Sequence, residues 1–222
     1  MSQTARDATA PDDLPELPRN AFAKADPTPD ALFYREPRLV THIDDAAIAA
    51  VTALYREVVP PGGVVLDLMG SWVSHLPPEV AYAAVIGHGM NARELDANPR
   101  LTRRFTQDLN QDPALPLASA SVDAALICVS IQYLQQPVAV LREVARVLRP
   151  GGVAAITFSN RCFPTKAVAV WQALSGPDQC RLVALYLGRA GFERVEARSL
   201  LDGRRSDPLW AVLGYAPAGK AA

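Results

Sequence analysis

The chain has little sulfur. Three cysteines, Cys128, Cys162 and Cys180, are an odd number at no metal-ligand spacing. That argues against a disulfide framework and makes reduced thiols in a cytoplasmic protein the simple expectation. No apolar run approaches the ~20 residues that span a bilayer, so no membrane partner is expected. The N-terminus lacks the basic start and apolar stretch of a secretory signal. No charge of one sign dominates either: 22 basic against 23 acidic residues leave a net charge of −1. Such a balance supplies no overall electrostatic grip on nucleic acid, and none is expected as a partner. There is no internal repeat.

What is present is apolar content. Half of the 222 residues are hydrophobic and a fifth are charged. The chain is long enough for one sizeable core and short for two. Residues 1–30 are rich in Pro, Asp and Ala and read as a disordered or loosely attached tail. Residues 31–216 form the domain, with 31–60 as an N-terminal cap, and 217–222 are a second tail. Asp44–Val58 is helical, since Ile48, Val51, Leu54, Tyr55 and Val58 share a face. Strands are expected at Val64–Leu68, Ala83–Ile86, Arg104–Gln107, Glu193–Leu200 and Leu209–Tyr215. Further helices are expected at Pro78–Ala81, Asn91–Asn98, Thr165–Leu174 and Pro177–Ala190. Asp202-Gly203-Arg204 joins the last two strands.

Residues 122–160 are the most informative. The apolar run Val122–Val129 leads through a loop into a helix carrying Val138, Leu141, Val144, Ala145 and Leu148 at i, i+3, i+4 spacing. Arg149-Pro150-Gly151-Gly152 stops it, and Val153–Phe158 completes a strand–helix–strand unit, which implies a parallel sheet. Ser-Val-Asp before the first strand, followed by Glu-Val-x-Arg-Val-Leu-Arg-Pro-Gly-Gly, resembles the middle of class I S-adenosylmethionine-dependent methyltransferases of the type 11 kind. The resemblance covers about residues 40–216. It implies a Rossmann-like α/β fold: a mainly parallel seven-stranded sheet, helices on both faces, and an antiparallel terminal strand. It places the crevice between the first and fourth strands, where open α/β sheets bind ligands.

The resemblance also implies where S-adenosylmethionine would sit. The first strand ends in Asp67, but only Gly70 survives of the glycine-rich turn, which reads Met69-Gly70-Ser71-Trp72-Val73-Ser74-His75. Gly70 and Ser71 are expected at the methionine part. Gly89 stands where an acidic residue usually ends the second strand; Asn91 or Glu94 could substitute, and Met90 would pack on adenine. Asp108 and Leu109 resemble the pair that reads the adenine amino group, although Asp108 could equally cap a turn. Tyr34 and Arg38 would fold over the cofactor.

Three histidines lie near the presumed mouth: His42, His75 and His88. Satisfied structural histidines are one reading and a metal site another, but no compact ligand motif exists and no metal is expected. His75 is the best general-base candidate. After the fifth strand, Asn160 could position an acceptor and Arg161 or Lys166 could bind its acidic group. The alternative for this loop is a strand exit and helix cap. The expected activity is methyl transfer from S-adenosylmethionine to a small molecule. The alternatives are a methyltransferase-like binding module without turnover, or another cofactor in the same crevice.

Overall fold

A computed structural model describes residues 14–219. Seven strands form one sheet in the order β3-β2-β1-β4-β5-β7-β6. They are β1 (Val64–Asp67), β2 (Ala84–Gly89), β3 (Arg103–Thr106), β4 (Val122–Cys128), β5 (Leu148–Ser159), β6 (Glu193–Leu201) and β7 (Leu209–Tyr215). β1 pairs in parallel with β2 and with β4, bringing Asp67 opposite both Gly87 and Leu126. β7 alone runs antiparallel to its neighbours, β5 and β6. The chain order reverses between β1 and β4, so their carboxyl ends frame a crevice.

Alternation along the strands builds two cores. Val65, Ala124 and Leu126 face one side with Val51, Leu54 and Tyr55 of α2 (Asp45–Val58). Leu66, Ala125 and Ile127 face the other, against α4 (Pro137–Val147) and α6 (Gly176–Arg189). A period of two in the strands and of 3.6 in the helices is what such a three-layer packing requires. Asp44 caps α2, its side chain accepting from Ala47 N–H at 2.8 Å.

Three expectations need correction. No helix forms at Pro78–Ala81, where Val80 N–H reaches Pro77 O in a single turn. Pro77 and Pro78 each push the preceding residue out of the helical region. Leu76 and Tyr82 pack on the α2 side instead. In Thr165–Leu174, only α5 (Ala169–Gln172) is helical. There, backbone groups bond to the N-terminal segment: Ala169 N–H to Ala23 O, Val170 N–H to Ala21 O, and Asp26 N–H to Thr165 O.

That segment is the third correction. Residues 14–30 are not loose: Leu14, Ala21 and Phe22 are buried in the α4–α6 core. Lys166 is fully buried, and its Nζ lies 3.0 Å from Asp26 Oδ2, 2.7 Å from Thr28 O and 3.5 Å from Asp30 Oδ1. It pins the segment 14–30 and is not an anion site. The short helix α1 (Asp30–Phe33) follows. Residues 1–13 of the expected tail, and 220–222 of the C-terminal one, lie outside the described residues.

Candidate functional site

A cavity of about 370 Å³ opens at the carboxyl ends of β1, β2 and β4. The strap between Asp30 and Ile43 and the loop after β5 wall it in. Asp67, Gly70, Ser71, Met90, Asp108, Leu109, His75 and Arg161 all line it. Asn160 does not. It is exposed, and its carboxamide oxygen accepts from Ser159 Oγ at 3.3 Å, so it leaves the acceptor-positioning set.

The turn after β1 is rebuilt around His88. The amide N–H of Met69 donates to His88 Nδ1 at 3.1 Å, and that of Gly70 donates to His88 O at 2.7 Å. Because Nδ1 accepts, the proton sits on Nε2, which donates to Gln107 O at 3.0 Å. Burial holds the ring down to about 4, so His88 is a neutral staple between three strand ends. Met69 turns through φ +58°, and a Cβ on Gly70 would meet the Asp67 carboxylate at 2.9 Å. A Cβ on Gly89 would lie 2.7 Å from Gly70 O, so the two loops touch backbone to backbone.

Beneath this turn Asp67 is 3 % exposed and accepts from Ser74 Oγ at 2.6 Å. Asn98 Nδ2 donates to Ser74 Oγ and to Ser71 O. Burial pushes Asp67 up to about 7, against the opposing hydrogen bond from Ser74. Cys128 also lines the cavity, but burial raises its thiol to about 11 and removes it as a nucleophile at neutral pH.

At the end of the same turn His75 holds φ +52°, with its carbonyl accepting from Thr52 Oγ1 at 2.9 Å. Its ring nitrogens make no hydrogen bond among the described residues, and burial lowers its pKa, keeping it a neutral acceptor. Arg161 is 61 % exposed, with Nε 2.8 Å from Asp207 Oδ1. Asp207 in turn accepts from Asp44 N–H. His42 stands edge-on to Phe163 across the mouth. All three histidines line the cavity, yet among the described residues no group of three or more His, Cys, Asp or Glu is placed to hold a metal.

Met90, Asp108 and Leu109 together line one part of the cavity. Asp108 Oδ1 accepts from Asn110 N–H at 2.9 Å, which is the turn-capping role; the carboxylate still faces the cavity beside Leu109 and Met90. Glu94 also lines the cavity and already accepts from Arg38 N–H at 2.7 Å and Ser71 Oγ at 2.6 Å. Two buried groups on the lining have no partner: Ser130 Oγ and Arg38 Nη1. A buried unpaired donor on a cavity wall is free to meet a ligand or a water. Ser130 was missed from sequence. Its position just past β4, at the point where chain order reverses, was the available signal.

The methyltransferase domain family matches residues 71–156. Solved structures share the fold. A chain of the complex between the Trm112 methyltransferase activator and a methyltransferase from Haloferax volcanii is 17 % identical, with TM-score 0.61, covering 80 % of this chain and 92 % of that one. The [4+2]-cyclase SpnF is 15 % identical with TM-score 0.61, over 83 % and 90 %. An S-adenosylmethionine-dependent methyltransferase from Aquifex aeolicus is 18 % identical with TM-score 0.56, over 77 % and 91 %. No curated protein matches. Among the described residues no helix is long and apolar enough to cross a membrane.

Proposed function

We propose that this chain, which has the class I methyltransferase fold and is similar to the methyltransferase domain family over residues 71–156, binds S-adenosylmethionine and methylates a small acidic acceptor. One observation carries the reading. The adenine-side residues Met90, Asp108 and Leu109 and the reactive-side residues His75 and Arg161 line a single cavity. When bound, the cofactor supplies an electrophilic methyl group on a sulfonium. The chain's own residues hold the partners in line, exclude water and receive a proton; positioning contributes most. His75 Nδ1 or Nε2 takes the proton the acceptor loses, and the nitrogens of Arg161 not held by Asp207 grip its acidic group.

A thermal-shift and calorimetric series with S-adenosylmethionine and S-adenosylhomocysteine tests the cofactor. Asp108→Ala should weaken S-adenosylhomocysteine binding by about 1 kcal/mol or more, since a hydrogen bond to a charged group is lost. An unchanged dissociation constant would put the adenine elsewhere. In a screen of acidic acceptors, His75→Ala should lower turnover by about 10²-fold with cofactor affinity intact. Arg161→Ala should chiefly raise the acceptor's KM. Equal loss of cofactor binding in His75→Ala would reduce that residue to a wall of the cavity.

A second reading is binding without methyl transfer. It is supported by the turn after β1, whose first two amides are taken by His88, and by the missing helix between β1 and β2. Tight S-adenosylhomocysteine binding with no turnover across the acceptor screen would favour it.

A further inference from the structure

We propose that Arg38 holds the carboxylate at the amino-acid end of the cofactor through its unpartnered Nη1, replacing the backbone amides that His88 has taken. The inference rests on the S-adenosylmethionine reading above and assigns the end of the ligand that would otherwise meet the Met69 and Gly70 amides.

The need follows from the loop after β1. The Met69 and Gly70 amides both point to His88. No helix lies between β1 and β2, so no free helix N-terminus aims donors into the cavity from this loop. A carboxylate brought out of water still requires donors or a cation. The permanent cations on the lining are Arg38 and Arg161. Arg161 lies on the exit of β5 and is committed through Nε to Asp207.

Arg38 is tied to the rewritten turn instead. Its backbone N–H donates to Glu94 Oε1, and Glu94 Oε2 accepts from Ser71 Oγ, one residue past Gly70. One carboxylate thus joins the strap to the methionine side of the cavity. The guanidinium is held in place before any ligand arrives. Nη2 donates to Phe33 O at 2.9 Å, and the group lies 4.5 Å from the Phe33 ring centre and 5.5 Å from that of Phe163. Nη1 is buried with no hydrogen-bond partner, and among the described residues no carboxylate pairs with the guanidinium. A preorganised cation with one unmet donor pair is complementary to a ligand carboxylate.

The test compares S-adenosylhomocysteine with 5′-methylthioadenosine, which keeps the adenosyl sulfur but lacks the amino acid. Calorimetry on the full chain should show S-adenosylhomocysteine binding at least about tenfold tighter, as a charge-assisted pair implies. Arg38→Gln should erase that preference while leaving 5′-methylthioadenosine affinity unchanged, and Arg38→Lys should restore part of it. The unchanged nucleoside affinity also certifies that the variant is folded. Equal weakening of both ligands would mean that Arg38 only packs the strap and would overturn the proposal. So would a preference that survives Arg38→Gln, or a wild-type chain that binds both ligands equally; either leaves the cofactor reading standing. A wild-type chain that binds neither ligand would overturn both.

Discussion

A chain lacking residues 1–30 is expected to lose most or all of its cooperative thermal transition. The deletion removes Leu14 and Phe22, both buried in the α4–α6 core. Burying a side chain of that size is worth about 1.5–3 kcal/mol. It also strips Lys166 of Asp26, Thr28 and Asp30, the partners of a fully buried ammonium. Orphaning one member of a buried ion pair costs about 3–5 kcal/mol. Together these losses reach the ~5–15 kcal/mol that holds a domain of this kind folded. Circular dichroism melts of the full and shortened chains check it. A shortened chain melting within about 2 °C of the full one would show that the segment docks without contributing stability.

The second large effect is a pH dependence set by Asp67. Its carboxyl is raised from 3.8 to about 7 by burial in the folded chain. The unfolded chain releases that proton near 3.8, whereas the fold keeps it until about pH 7. Between those values the folded state binds more protons, so this group's stabilisation is complete at low pH and is lost as pH rises toward 7. At 1.36 kcal/mol per pKa unit the loss is on the order of 4 kcal/mol. Asp67→Asn cannot ionise and should melt increasingly above the wild-type chain as pH goes from 4.5 to 8. Taking the difference between the two chains cancels the titration of every other group. Parallel melting curves across that range would mean that Asp67 is ionised throughout.

Much of the sheet was legible because its signals are local and periodic. Val122–Cys128 and the α4 stripe each need only neighbouring residues to be read, although α4 ends at Val147 and residues 149–152, expected as its stop, already belong to β5. The position of Gly70 and Asp108 on the cavity followed from the same order of strands. What was not legible depended on distant partners. The Pro-rich stretch before residue 30 has weak apolar periodicity, yet Leu14 and Phe22 find a core made by residues more than 100 positions away. Lys166 looked like an anion site until Asp26 and Asp30 were beside it. Asn160 shares the β5 exit loop with Arg161, but its side chain bonds back to Ser159 rather than turning inward. His88 read as a satisfied structural histidine or a metal ligand, and only the Met69 amide and the Gln107 carbonyl single it out as a staple.

The docking of residues 14–30 also dictates an order of events during synthesis. Phe22 O is met by Gln135 across 113 positions, Thr28 by Lys166 across 138, and Glu16 by Arg189 across 173. Residues 14–30 therefore leave the ribosome well before their partners and wait for their contacts, and such long-range closure is slow. A nascent chain halted before residue 160 has β1 to β4 available for pairing but lacks Lys166, the residue that pins Asp26 and Asp30. Until then Leu14 and Phe22 are bare apolar side chains on a tether, open to chaperones, and Asp30, where the cavity's outer wall begins, is not yet pinned by Lys166.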